Sequence, residues 1–448
     1  MKRSNWRYLW TAHDIRRKLL ITFLILAIYR FAAHVPVPGA DPQVIKGIIE
    51  GGGAGSQLLG ILDLLSGGTI ANFSVLAMGV YPYITAQIIL QLLVPIIPAL
   101  QKRMEEDPRE SRKWMEKWTL LLAIPMAALN AVGQINLFNA MANGQSVVPN
   151  FGFSSGNFLY SFAIVAAMTA GTMFAIWLGE LISEFGIKNQ GLSLIIFAGI
   201  VSRVPANFQR MLLNDQYRWV LIAMSLFIIS LTIFAIIYVQ QGRRNVPVIY
   251  KGRMIGRRMT MSTRTHLPLM VNMAGMIPLI FAQSILTFPA VFASFFLQSG
   301  TPAISSIANS LYSAFNGQGS FYYITYFIMV VAFTFFYTSV LFQQQNYGRN
   351  LVRAGAEIPN ISPRDDGIYM QRYLSKVQNR ITLPGAFFLG FIAILPWLLT
   401  ILTPLGVGEN AMLVQSAGLL IVVGVVRDVF FNIEAELKQR YDEKLLVR

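Results

Sequence analysis

Apolar runs of roughly twenty residues, separated by short polar or basic stretches, recur along the whole chain. A hydrocarbon core of about 30 Å needs about 20 predominantly apolar residues to be crossed by a helix. On that measure the pattern predicts spans over 19–37, 73–98, 118–137, 158–182 and 192–204. A second five follow over 219–239, 267–297, 321–342, 382–405 and 411–431. Alternating ten-residue strands, the mark of an outer-membrane barrel, do not appear. The predicted fold class is an all-α polytopic membrane protein with ten transmembrane helices. The first run is longer than a signal-peptide core and is expected to be retained.

The number of spans and their direction follow from where the charge lies. Of 36 Lys and Arg, 31 fall in 1–18, 101–117, 183–191, 241–267, 343–381 and the segment after 426, which alternate spans place on one side. The other side receives Lys46, Arg203, Arg210 and Arg218, and Arg30 lies inside the first span. Basic loops stay on the cytoplasmic side, so both termini are expected there. The net charge of +15 is therefore a topological signal and not a nucleic-acid footprint. Composition agrees: 54% of residues are hydrophobic and 13% charged, where a soluble domain carries about 25% charged residues.

Ten spans divide into an N-terminal half, 1–210, and a C-terminal half, 211–448. Five is odd, so if the halves are repeats they must be inverted, an arrangement that places a transport path at their interface. Span two contains Gly79-Val80-Tyr81-Pro82 and span seven contains Gly275-Met276-Ile277-Pro278. Paired Gly/Pro interruptions at equivalent places point to a central site, although Gly and Pro are also common in membrane helices generally. Just before span two, Leu58, Leu59, Ile61, Leu62, Leu64 and Leu65 form an apolar segment that stops at Ser66-Gly67-Gly68. It is too short to cross, so it is read as a re-entrant or capping segment over about 56–68, the alternative being a helix on the outer surface.

Catalytic chemistry is missing. The chain has no Cys and three scattered His, which gives no metal spacing, and no cofactor is expected. A phosphate-binding loop is absent, so energy must come from a partner. Gly152-Phe153-Ser154-Ser155-Gly156 matches a nucleophile-elbow pattern, but no His lies near it. What remains is a conduit lined by aliphatic residues. Val80 and Ile84 share a helical face in span two, and Ile196, Ile277 and Ile421 could complete a ring, each being equally compatible with ordinary packing. The runner-up from another class is an ion-coupled secondary transporter, which would place buried carboxylates near Gly79 or Gly275.

Long stretches resemble the SecY family of protein-translocation channels. They include Tyr29-Arg30-Phe31, Val35-Pro36-Val37-Pro38-Gly39, 78–86, Trp177-Leu178-Gly179-Glu180, 194–200 and 265–278. The resemblance implies a channel that moves unfolded secretory polypeptides across the membrane and releases apolar segments sideways into lipid. It implies that the segment around 58–66 is a plug and that Val80, Ile84, Ile196, Ile277 and Ile421 are pore-ring positions. Spans two and seven become the faces of a lateral gate carrying Gln87, Gln91, Asn272 and Gln283. The loops 241–267 and 343–381 become docking sites for the ribosome and the motor ATPase SecA, through Arg243, Arg244, Lys251, Arg257, Arg258, Arg353 and Arg364. Partner subunits SecE and SecG are implied as well. The chain departs from the family at 359–364, where Pro359-Asn360-Ile361-Ser362-Pro363-Arg364 places Ser362 where an Arg is usual. It departs also in the turn 186–191, which carries one residue more, and at Met270, where Lys is usual. Independently of the resemblance, 246–250 and 259–263 suggest a strand–turn–strand projection from the first of these loops.

Overall fold

The computed structural model describes residues 13–41, 73–100, 108–141, 157–188, 190–212, 218–250, 263–294, 302–315, 319–359, 367–402 and 416–446, with short stretches at 44, 66, 69, 103, 147–149, 151–152, 254–255, 258–259, 296, 317 and 361. In chain order the helices of the first part are α1 (His13–Ala32), α2 (Tyr81–Ile96), α3 (Pro108–Met141), α4 (Phe158–Phe185), α5 (Gly191–Leu212) and α6 (Arg218–Gln241). Strands β1 (Arg243–Tyr250), β2 (Met254–Ile255), β3 (Arg258–Met259) and β4 (Thr263–Met270) follow. Then come α7 (Ile277–Ser294), α8 (Pro302–Phe315), α9 (Ser320–Gln345), α10 (Tyr347–Arg353), β5 (Ala356–Glu357), α11 (Ile368–Leu402) and α12 (Ser416–Leu446).

Six described helices are long and apolar enough to cross a membrane, and α2 and α7 contribute shorter apolar helices, Tyr81–Val94 and Ile277–Ala293. Their outward faces confirm the solvent they meet. On α6, Phe227, Phe234 and Tyr238 are 69%, 69% and 74% exposed, a continuous apolar surface that water would drive into aggregation and that lipid tails solvate. The protein is a polytopic membrane protein built almost wholly of helices.

Two spans begin later than their apolar runs. Residues 73–80 form turns, and α2 starts only at Tyr81. The stretch before it is pinned to the end of α1: the Val37 amide donates to Phe73 O (3.0 Å) and the Val75 amide to Val35 O (2.9 Å). In span seven, 267–270 is strand, not helix, because Leu267 to Met270 pair with β1 (Leu267 with Val246, Met270 with Arg243). Here the buried Leu269 follows a period of two that an apolar count does not distinguish from a helix. Span five runs past Pro205 to Leu212, and span nine begins as helix at Ile368, well before its apolar stretch. The segment between spans seven and eight carries α8, whose Ile304, Ile307 and Leu311 are exposed on one side.

The projection after α6 is larger than the predicted strand–turn–strand. Its second long strand is Thr263–Met270, while Met259 pairs with Met254 in the small β2–β3 hairpin. β1 also pairs with β5, giving the order β4-β1-β5. One face of this sheet buries Val246, Val248 and Leu269 against Phe342, Leu351, Ile358, Met370 and Leu374. The two loops are therefore one folded unit with its own apolar core. A break between α9 and α10 makes room for it: Asn346 takes φ +43°, a left-handed conformation that Asn tolerates. Gln371 bridges the break, accepting from the Gly348 amide (2.8 Å) and donating to Phe342 O (3.2 Å).

Candidate channel and gate

The two Gly-x-x-Pro motifs build the same local structure. Gly79 has φ +49° and Gly275 φ +64°, a region that side chains with a Cβ enter at a cost. In each, the helix starts two residues later, at Tyr81 or Ile277, and the proline is its second residue. Proline fits there because the first-turn amides have no intrahelical acceptor. The motifs are helix starts, not kinks within long spans. Their surroundings differ. A Cβ at Gly79 would lie 2.0 Å from the Ser66 carbonyl oxygen, whereas one at Gly275 would meet open space. The Gly275 turn is held instead by Asn272, which accepts from the Gly275 amide (2.9 Å) and donates to the Gly275 carbonyl (3.1 Å).

Val80, Ile196 and Ile421 are buried together in the largest apolar cluster, with Ile84 packed against it. Ile84 also belongs to a second group with Ile277, Ile88, Phe281 and Tyr337. The structure thus assembles the aliphatic residues singled out on spans two, five and ten, and links the one on span seven to them through Ile84. No Asp or Glu occurs on α2 or α7.

The four polar residues assigned to the seam are not equivalent. Asn272 is committed to its turn, as above. Gln283 is buried, and its carbonyl accepts from Thr287 (2.8 Å). Gln87 and Gln91 are half-buried on α2, and Gln91 Oε1 has no partner among the described residues. The polar contact that joins α2 to α7 comes from a residue that pattern reading passed over. Tyr81 Oη donates to the Ser284 carbonyl at 3.5 Å. Nothing in the sequence marks Tyr81 beyond its place in the motif.

Residues 58–65 lie outside the described residues, but the end of that segment is fixed. Ser66 is buried, and its carbonyl accepts from Tyr29 Oη (3.1 Å) on α1 and from Thr69 Oγ1 (3.2 Å). Thr69 Oγ1 also lies 2.6 Å from Leu76 O. A small cavity beside Ser66 is lined by Tyr81, by Asn130 and Gln134 of α3, and by Val291 of α7.

Of the basic docking candidates, Arg243 and Arg244 are exposed on β1 and Arg353 is exposed at the end of α10. Arg258 lies on β3 opposite Ile255. Lys251, Arg257 and Arg364, with the departure at Ser362, are outside the described residues. The sheet brings Arg243, Arg244 and Arg353 onto one unit, although their loops are separated in sequence by three helices.

The family profile described as SecY matches residues 74–430. Protein translocase subunit SecY of Streptomyces galbus is 34% identical over 445 residues, covering 97% of both chains. That of Thermotoga maritima is 35% identical over 441 residues, covering 96% of this chain and 94% of the relative. Among solved structures, one described as a protein conducting channel superposes with a TM-score of 0.61 at 17% identity, covering 94% of this chain and 93% of the other. A canine Sec61 structure from a ribosome-channel complex gives a TM-score of 0.59 at 16% identity, covering 94% and 93%. These last two establish the shared fold.

Proposed function

The chain belongs to the SecY family, and from that premise we propose that it conducts unfolded secretory polypeptides through an aliphatic constriction and releases apolar segments between α2 and α7. The observation that carries this reading is the joining of Val80, Ile84, Ile196 and Ile421 in one apolar cluster, with Ile277 reached through Ile84, at the place where both Gly-x-x-Pro turns lie. A ring of aliphatic side chains excludes ions by dewetting and makes no lasting bond to a passing chain. Release needs no catalytic group: a segment of about twenty Leu- or Ile-like residues favours the bilayer by roughly 6–12 kcal/mol, while each central charge costs about 3 kcal/mol. SecY-family proteins are channels, not enzymes. The carboxylates that an ion-coupled transporter would need are missing from both seam helices.

The finer architecture belongs to the same proposal. Ten spans form two inverted halves, 1–210 and 211–448, a division supported by the matched turns at Gly79 and Gly275. The segment 56–68 is the plug, supported by the anchored carbonyl of Ser66. Both termini and the basic sheet unit are cytoplasmic, which the charge partition supports, and the bacterial relatives support a bacterial plasma membrane. The exposed Arg243, Arg244 and Arg353, together with Lys251, Arg257, Arg258 and Arg364, offer cations to ribosomal RNA or to SecA, and SecE and SecG complete the complex.

The absence of cysteine gives a clean test. An Ile84→Cys variant is challenged with a stalled secretory chain carrying one Cys, with Lys188→Cys as control. A disulfide at position 84 that depends on the length of the stalled chain is the expected result. Stalled complexes that never crosslink there would overturn the channel reading.

A further inference from the structure

Among the described residues, α2 and α7 touch sparingly, whereas α3 packs along α2 and also meets α7. Beside the apolar contacts of Ile84 and Ile88 with Ile277 and Phe281, the polar contact across the seam is the Tyr81 hydroxyl on Ser284 O, a hydrogen bond of 3.5 Å and so at the weak end of the range. One buried polar atom lies unpartnered nearby: Gln134 Oε1 has no hydrogen-bond partner among the described residues, although Gln134 is only 6% exposed. Gln134 and Tyr81 line the same cavity, whose other walls are Ser66 and Asn130 and the apolar Ala77, Met78 and Val291. That cavity has the space of about one water molecule and offers several polar partners, which is what a buried water requires.

We propose that Tyr81 is a positioning residue of the resting gate: its hydroxyl, with a water held by Gln134 Oε1 in this cavity, ties α2 to α7 on one side and to the end of the plug segment at Ser66 on the other. The inference rests on the gate reading above and deepens it. The geometry gives the latch two properties. It is weak enough to break when an apolar segment wedges between α2 and α7, since one long hydrogen bond and one bridging water contribute little net energy. It also couples two movements, because Ser66 is anchored to α1 through Tyr29 and packed on Gly79, two residues before Tyr81. Displacing the plug and parting the gate then disturb the same cavity.

The test uses the full chain, reconstituted in proteoliposomes with the subunits that co-purify with it. Transport of a preprotein with a crippled signal segment is followed by protease protection. Tyr81→Phe should raise that transport about two- to tenfold relative to an intact preprotein measured in parallel, the span expected for one net hydrogen bond. Gln134→Leu should do the same, and the double variant should exceed neither single, since both act on one latch. If Gln134 is merely an unhydrated amide, Gln134→Leu will raise the melting temperature and leave transport of the crippled preprotein at the parental level. That result, or a Tyr81→Phe protein that discriminates as well as its parent, overturns the proposal. A photocrosslinker at Gln87 in the otherwise unaltered chain separates the two readings. Capture of an apolar segment there alongside an unresponsive Tyr81→Phe rejects the latch alone, while failure of capture rejects the gate and the latch with it.

Discussion

Gly79 and Gly275 occupy matching positions in a repeated motif, yet different physics holds each in place. Both adopt a left-handed backbone, which costs any residue with a Cβ about 1 kcal/mol or more. Only Gly79 is also crowded, with the Ser66 carbonyl where its Cβ would be. Gly275→Ala is therefore expected to lower stability by about 1 kcal/mol, and Gly79→Ala by clearly more, since Ser66 must move off its bond to Tyr29. Thermal unfolding of the two variants in detergent decides this; equal shifts would mean that Ser66 is free to move aside. The sequence showed the motif but not the difference, because the contact depends on where a distant backbone carbonyl comes to rest. Asn272 teaches the same lesson. Its side chain bonds the Gly275 amide three residues on, one beyond the reach of an Asx turn, so the spacing did not mark it.

Helix existence was legible wherever a long apolar run had polar flanks. The run at 158–182 became Phe158–Phe185 and that at 219–239 became Arg218–Gln241. What the runs could not show was a change of period inside them. Leu267 and Leu269 extended the apolar count of span seven, but they alternate with Pro268 and Met270 and form a strand. The amphipathic α8 escaped a search for continuous apolar runs because Ser305, Ser306, Ser310 and Ser313 interrupt the run, although Ile304, Ile307, Ala308 and Leu311 keep the helical spacing i, i+3, i+4, i+7. Nor did either basic loop hint that it would pair with the other through β1 and β5. That pairing leads to a prediction at the level of the element. Val248→Asp would bury a carboxylate in the small core of the sheet unit, at a cost of at least about 3 kcal/mol. Limited proteolysis should then nick 243–270 and 347–367 together, and not one loop alone. Arg243→Glu with Arg244→Glu should keep the unit folded, since both side chains are exposed. It should weaken ribosome binding strongly at low salt and much less near 1 M, where the screening length is about 3 Å.

Seen as a whole, the molecule holds its first and last described helices to their neighbours more firmly than it holds α2 to α7. α12 packs on α5 and α6, and α1 packs on α4 and α5, so the first and last spans share neighbours. Side chains continue the tie: Lys18 forms an ion pair with Glu436, and Asn432 Nδ2 donates to Lys188 O at 3.2 Å. Each contact is weak alone, because the paired side chains are 27% and 25% exposed and such pairs contribute about 0–1 kcal/mol. Their value is geometric, since Lys18 and Glu436 join α1 to α12 and Asn432 ties α12 to the turn between α4 and α5, and none of them lies on α2 or α7. A gate that opens at the α2–α7 seam does not require these contacts to part. A Lys18→Cys/Glu436→Cys variant closed by a short bismaleimide should therefore transport an intact preprotein at close to the uncrosslinked rate. The same crosslink should leave the response of the Tyr81→Phe variant in place, because Tyr81, Ser284 and Gln134 take no part in these contacts. If closing 18 to 436 stops transport in otherwise folded protein, the α1–α12 contacts must themselves part, and opening is not confined to the α2–α7 seam.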